Sequence, residues 1–310
     1  VFGDPRRGHP VALFGRAAQA WQRRVYADSV ARGAGYAAGC VGAAAAAGLV
    51  AERLTRRRPL PGLAAAAAAA WTVTGATSLA ARAQEIQRAL QAGDVRSARA
   101  ALPSLCGRDA ADLSEQELAR AVIESVAENT SDAIVAPLLW GALAGVPGFL
   151  AYRAVNTLDA MVGYRSARYE KFGWAAARLD DVLNWAPARL TALGTVVMAA
   201  SAGGSPARAW QTMRADGGRH PSPNAGRCEA AFAGALGVRL GGPNVYGGTV
   251  EARPSLGRGR APAPADIARA VRLCRAVTLA ATAAAAAVAL LAERSGAMTR
   301  HAHPDPRAGA

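Results

Sequence analysis

Three carboxylates at a spacing of four, Glu124, Glu128 and Asp132, fall in the stretch ESVAENTSDAIVAPLLW at 124–140. On a helix that spacing stacks side chains on one face, with a drift of about 40° per step. Hard oxygen donors of this kind suit Mg²⁺, which takes a few carboxylates and completes its shell with water and substrate phosphates. Asn129, Thr130 and Ser131 add small polar groups to the same region. The stripe equally fits a solvated helix face whose acids pair with arginines, and spacing alone leaves both readings open. After Asp132 no charged residue occurs until Arg153, so the stripe stands at the mouth of a segment apolar enough for a bilayer.

A second constellation occupies 154–190, AVNTLDAMVGYRSARYEKFGWAAARLDDVLNWAPARL. Asn156 and Asp159 lie three apart, followed by Arg165, Arg168, the pair Asp180 and Asp181, and Arg189. Arginines clamp phosphate or carboxylate through paired hydrogen bonds. The competing reading is an amphipathic helix on an anionic membrane surface, which the aspartates disfavour by repulsion. Polar loops at 4–11 (DPRRGHPV), 219–226 (RHPSPNAG) and 239–248 (RLGGPNVYGG) carry His9 and His220 before prolines. Gly241, Gly242, Gly247 and Gly248 allow close backbone approach to a ligand. No P-loop, Gly-x-Ser-x-Gly elbow or two-histidine zinc helix is present. The cysteines at 40, 106, 228 and 274 are too scattered for a disulfide or zinc framework.

The elements that must hold these residues are apolar. Of 310 residues 52% are hydrophobic, yet only 5% are aromatic, because alanine dominates. Charge-free stretches cover 33–51, 59–81, 133–152, 190–207 and 276–292. A spanning helix needs about 20 mainly apolar residues, so this set predicts a mainly α, polytopic integral membrane helical protein with long polar loops. Gly145-Val146-Pro147-Gly148 predicts that 133–152 is re-entrant and keeps 153–189 beside the carboxylate stripe. The 190–207 stretch, marginal in length and ending in Gly203-Gly204-Ser205-Pro206, is expected not to span either. The whole of 1–310 reads as one membrane-embedded domain with a disordered tail at 298–310. Residues 82–120 read as helical, with a Ser114 cap and turns at Gly93-Asp94 and Leu102-Pro103, whereas 203–265 reads mostly as loop. The formal charge of +14 rests almost wholly on arginine, Lys171 being the one lysine. That bias fits GC-rich codon usage, and no nucleic-acid-reading motif accompanies it, so no nucleic-acid partner is expected.

Together, GDPRRGHPV at 3–11, ESVAENTSDAIVAPL at 124–138, the block 154–190, HPSPNAG at 220–226, ALGVRLGGPNVYGG at 235–248 and RPSLG at 253–257 resemble one family. It is the adenosylcobinamide-phosphate synthases of cobalamin biosynthesis, the CobD/CbiB family. The likeness departs at the start, where family members carry an apolar helix before the Gly-Asp-Pro. An upstream helix is therefore expected.

The resemblance implies a multi-pass enzyme of the cytoplasmic membrane. It would join (R)-1-amino-2-propanol or its O-phosphate to a propionate of adenosylcobyric acid, with ATP and Mg²⁺ as cofactors. Its partners would be the corrinoid and amino-alcohol substrates, membrane lipid and other late cobalamin-pathway membrane enzymes. For that reaction residue type assigns Glu124, Glu128 and Asp132 to the metal. Glu128, Asp132, Asp181 and His220 are assigned to catalysis. Asn129, Asn156, Asp159, Arg165, Arg168, Arg189, Asn224 and Asn244 are assigned to substrate. A non-catalytic membrane sensor or scaffold, like distant signalling relatives, and a corrinoid or anion transporter are the alternatives.

Overall fold

The computed structural model describes residues 9–164 and 166–301. α1 (Pro10–Val25) opens on a proline at its first position, with the His9 side chain accepting the Val11 N–H. α2 (Val30–Thr55) is 26 residues long, about 39 Å at 1.5 Å per residue. α3 (Pro59–Val73) and α4 (Ala76–Gln91) divide the second apolar stretch at Thr74-Gly75. Gly93, at φ +73°, and Asp94, whose carboxylate takes the Ser97 N–H, turn the chain into the short α5 (Val95–Ala101).

A full capping box, Ser114 with Glu117, starts α6 (Glu115–Thr130). A π-helical turn over Ser131–Val135 joins it to α7 (Ala136–Val162). Then come α8 (Trp174–Leu183), α9 (Trp185–Met198), α10 (Pro206–Asp216), α11 (Ala225–Leu236), the antiparallel strands β1 (Leu240–Tyr246) and β2 (Thr249–Leu256), and α12 (Pro264–His301).

The region 203–265 is therefore not mostly loop. Its glycines and prolines sit at element boundaries: Ser205 and Pro206 start α10, and Gly237 at φ +70° ends α11. Gly247 and Gly248, both at positive φ, make the hairpin turn. α11 is buried on almost every face, so its apolar residues carry no amphipathic period to read. α12 is helical through His301, into the segment expected to be a disordered tail; residues 302–310 lie outside the described residues.

Among the described residues four segments are long and apolar enough to cross a membrane: Val30–Thr55, Pro59–Gln91, Glu115–Val162 and Pro264–Leu291. The protein is a helical membrane protein. Leu49, Leu54, Leu60 and Leu63 around the α2–α3 junction, and Leu279, Leu290 and Leu291 on α12, stand exposed, as lipid-facing side chains do. α9, which carries the start of the 190–207 stretch, has 14 residues. It is about 21 Å long, short of a hydrocarbon core of about 30 Å.

The Glu115–Val162 segment folds back on itself. Ala144 (φ −133°, ψ 16°) and Gly145 (φ 64°, ψ −149°) break the helix, and Gly145 adopts a conformation open to glycine. The freed N–H of Val146 donates to Glu52 Oε1 at the end of α2, 2.8 Å away. Beyond the bend Pro147 lies in a first helical turn, where its missing N–H has no helical partner to lose. Gly148 then rests against the Trp140 carbonyl and Gly141 against the Phe149 ring, contacts that a Cβ at either glycine would obstruct.

The returning arm descends along α2. Pro147 abuts Gly48, Leu158 and Val162 pack with Tyr36, Ala37 and Cys40, and the Phe172 carbonyl meets Gly33. Residues 153–184 thus come back to the carboxylate stripe. The main core is built by α4, α6, α11 and α12 around Ile86, Leu118, Ile123, Phe232 and Leu273. It holds α6 rigidly at the centre of the molecule.

Candidate active site

The stripe on α6 divides into two roles. Glu124 is buried; its Oε2 lies 2.5 Å from Arg108 Nη2 and its Oε1 accepts the Gly241 N–H at 2.7 Å. Arg120 joins it, donating to the carbonyls of Gly241 and Pro243. Glu124 therefore anchors the root of the β-hairpin. The expected three-carboxylate metal set does not assemble, and among the described residues no three His, Cys, Asp or Glu side chains converge as ligands.

One turn along, Glu128 is solvent-exposed although Arg253 of β2, Asp180 of α8 and Arg108 are its charged neighbours. An exposed side chain enclosed by that many elements lines a cleft. The π turn begins at Ser131 and re-aims Asp132 relative to a regular helix. Asp132 is half-buried, with Asp180, Glu128 and Asp159 as its charged neighbours. Asp159 in turn faces Asp181 and Glu128. Four elements thus contribute acids or their partners to one acidic wall.

That wall is held by hydrogen bonds. The Tyr152 hydroxyl lies 3.0 Å from the Asp132 carbonyl and 2.8 Å from Asn184 Oδ1. Asn184 Nδ2 donates to Asp180 at 2.9 Å, and Asn156 Nδ2 approaches the other oxygen of Asp180 at 3.5 Å. Burial, and then the nearby Asp159, push the Asp180 carboxyl up to about 7. Asp181, the member of the pair assigned to catalysis, lies 3.4 Å from Arg178 at the edge while keeping Asp159 in reach. Of the two, Asp180 is the one held by side-chain amides.

The opposite wall is cationic. His220 Nδ1 accepts the Ser222 N–H at 3.0 Å, which places the proton of a neutral imidazole on Nε2. Nε2 faces Arg253 at 3.4 Å and Glu229 at 3.9 Å. Burial and the Arg253 charge hold the imidazole below its ordinary pKa, and burial, with Glu124 and Glu128, pushes Glu229 well up. With Nδ1 taken by Ser222 and Nε2–H directed to the Glu229 side, His220 is not a free base, and Arg253 lies beside it as a second donor.

Of the residues assigned to substrate, Arg189 and Asn224 meet but form a strut. Arg189 stacks on Trp185 at 4.2 Å and donates to Asn224 Oδ1 at 3.3 Å, and Asn224 Nδ2 donates to the Asp181 carbonyl at 2.8 Å. Asn129 donates within its own helix to the Ser125 carbonyl. Arg168 is exposed and stacks on Tyr26 and Tyr169 at the α1 side. Arg165 lies outside the described residues. Asn244 is 2% exposed, with neither amide atom hydrogen-bonded.

Sequence reasoning did not single out Tyr152, Asn184, Glu229, Arg108 or Arg253 for a role. Arg253 stood in a quoted motif, RPSLG, but in a segment read as linker. Asn184 stood in the quoted 154–190 block without being singled out, and Tyr152, Glu229 and Arg108 act through partners on other elements, which no local pattern marks.

The sequence profile of the CobD/Cbib protein family matches residues 1–274. A Mycobacterium tuberculosis protein named cobalamin biosynthesis protein CobD is 55% identical over 278 residues, covering 89% of this chain and 88% of that one. Proteins of the same name from Geobacter metallireducens and Chromobacterium violaceum are 46% and 44% identical, over 83% and 88% of this chain and 82% and 88% of theirs. No solved structure matches.

Proposed function

The chain belongs to the CobD/Cbib protein family, and from that premise we propose that it is the cobalamin-biosynthesis enzyme joining an amino alcohol to a corrinoid carboxylate as an amide. The amine is (R)-1-amino-2-propanol or its O-phosphate, and the acid is a propionate of adenosylcobyric acid. The observation that carries the reading is the cleft itself, acidic on α6, α7 and α8 and cationic beneath the hairpin. A ligase must attract an ammonium, remove its proton and hold a phosphate or carboxylate close by. This cleft offers both signs of charge in one place.

Asp180, with its carboxyl near 7, is poised to accept the amine's proton as the C–N bond forms. Asn156 and Asn184 fix its two oxygens, and Tyr152 orders Asn184. Asp159 and Asp132, charged neighbours on the same wall, place carboxyl oxygens where an ammonium would enter and donate its hydrogen bonds. Arg253 supplies positive charge across from Glu128. In this proposal ATP with Mg²⁺ supplies the activation that turns the carboxylate oxygen into a leaving group. Glu128 and Asp132 have the hard oxygen donors that Mg²⁺ takes in small number beside phosphates and water. Glu124, tied to Arg108 and Gly241, is left out of that set.

We place the protein in the cytoplasmic membrane as a multi-pass protein, with the hairpin bend near the end of α2 and the cleft toward its start. Purified protein incubated with adenosylcobyric acid, aminopropanol or its phosphate, ATP and Mg²⁺ should form the amide. Absence of product with both amines, from protein that remains folded, would overturn the reading in favour of a sensor or a transporter.

A further inference from the structure

Beneath the β-hairpin lies a set of donors that the chain does not satisfy by itself. The Arg108 side chain is 3% exposed; its Nη2 binds Glu124, but Nε and Nη1 meet no acceptor. Asn244 has both amide atoms unpartnered, and the Nε atoms of Arg120 and Arg253 are also unpartnered. Buried polar groups are nearly always paired, because leaving them unpaired costs the desolvation of each.

These groups share one place. The Asp109 N–H donates to the Val245 carbonyl at 2.9 Å, laying Arg108 alongside β1. Tyr246 is an electrostatic neighbour of both Arg108 and Arg253, and the Arg253 guanidinium lies 5.4 Å from its ring centre. Gly242 pairs with Arg253, and Asn244 with Glu251. Alternation therefore sends Asn244, Tyr246 and Arg253 from the same face of the hairpin. Arg253 reaches His220 from that face with Glu128 as a charged neighbour, and Glu251 on the same face pairs with Arg253 Nη2 at the exposed rim.

We infer that Arg108, Arg253 and Asn244 form an oxyanion subsite for a phosphoryl group beneath the β-hairpin. A planar carboxylate can occupy one guanidinium edge, whereas a phosphoryl group has three terminal oxygens, enough to meet both arginines and the amide together. The subsite's place in catalysis rests on the ligase reading; its capacity to bind phosphate does not.

The probe is inorganic phosphate, measured by equilibrium dialysis on the full chain purified in detergent. Wild-type protein should bind it saturably and acetate at equal ionic strength should not compete. Asn244→Ala and Arg253→Gln should each weaken phosphate by about tenfold or more. Without phosphate, Asn244→Ala should melt no lower than wild type, because it removes an unpaired amide. ATP or an amino-alkyl phosphate should displace the bound phosphate, and the one that does identifies which substrate carries the group. The inference falls if wild type shows no saturable binding, if both variants keep full affinity, if Asn244→Ala melts lower, or if neither ligand displaces phosphate. Phosphate binding without amide formation would sink the ligase reading alone; amide formation without saturable phosphate binding would sink the subsite alone.

Discussion

The Tyr152 hydroxyl lies 3.0 Å from the main-chain carbonyl of Asp132, a residue twenty positions earlier in the chain. In an unbroken helix those two positions would stand about 30 Å apart. The contact closes the helical hairpin at the level of the acidic wall and continues through Asn184 to Asp180. It couples the reversal of an apolar segment to the alignment of a carboxyl group.

Tyr152→Phe removes the hydroxyl and keeps the ring. Loss of a buried hydrogen bond should lower stability by about 1 to 2 kcal/mol. Turnover should fall with it, since Asn184 loses the partner that orders it toward Asp180. Thermal unfolding in detergent and amide formation are the two measurements, and a variant unchanged in both would show that the hydroxyl holds nothing in place.

Glu128 is accessible in the cleft and Glu124 is buried against Arg108, so their substitutions should differ in kind. Glu128→Gln should leave the melting temperature nearly unchanged and cut turnover at least about tenfold, on the order of 1.4 kcal/mol in the barrier. Glu124→Gln leaves the Arg108 guanidinium buried without its counter-charge, which should cost about 3 to 5 kcal/mol of stability. The opposite pattern, a stable Glu124 variant and an unstable but active Glu128 variant, would reverse the two roles.

Asp180 carries a pH signature of known sign. Its carboxyl is raised from 3.8 to about 7 in the folded protein. Between those values the folded state holds a proton that the unfolded chain has lost. The group therefore lowers stability progressively as pH rises through that window, fully so above about pH 7. Relative to the parent, Asp180→Asn should gain stability as pH rises from about 4 through 7, and below about pH 4 the difference should no longer change with pH. Amide formation should fall in the same variant, and its rise with pH near 7 should disappear. Parallel stability profiles for variant and parent would remove Asp180 from this role.

The hairpin fixes which surfaces share a side of the membrane. Single cysteines are introduced as Gln116→Cys, Ser166→Cys, Leu143→Cys and Arg57→Cys, in a background in which Cys40, Cys106, Cys228 and Cys274 are replaced. An impermeant reagent should label the first two from one face and the last two from the other. Gln116 and Ser166 labelled from opposite faces would mean that the Glu115–Val162 segment crosses without turning back.

Much of the architecture was legible because it follows from local rules. Charge-free length marks candidate membrane helices, Ser114 and Glu117 announce a capping box, and Gly145-Val146-Pro147-Gly148 marks the reversal. The 203–265 region was misread for an equally local reason. Its glycines and prolines sit at the ends of α10, α11 and the hairpin, and α11 is buried all round, so turn signals were visible and periodicity was not.

The sequence by itself determined that this is a helical membrane protein, that a carboxylate stripe on α6 meets the 154–190 block, and which family it joins. Those properties depend on composition, spacing and motif order, which are written in neighbouring residues. Tertiary structure alone decided that Glu124 is an anchor and Glu128 an accessible acid, although they are one helical turn apart on the same face. It also decided that Asp180 and not Asp181 is held by Asn156 and Asn184, and that His220 sits between Arg253 and Glu229. A carboxylate's role is set by the charges and donors around it in a medium of low polarity, and here those neighbours come from other elements of the fold, Gly241 reaching Glu124 from 117 positions along the chain.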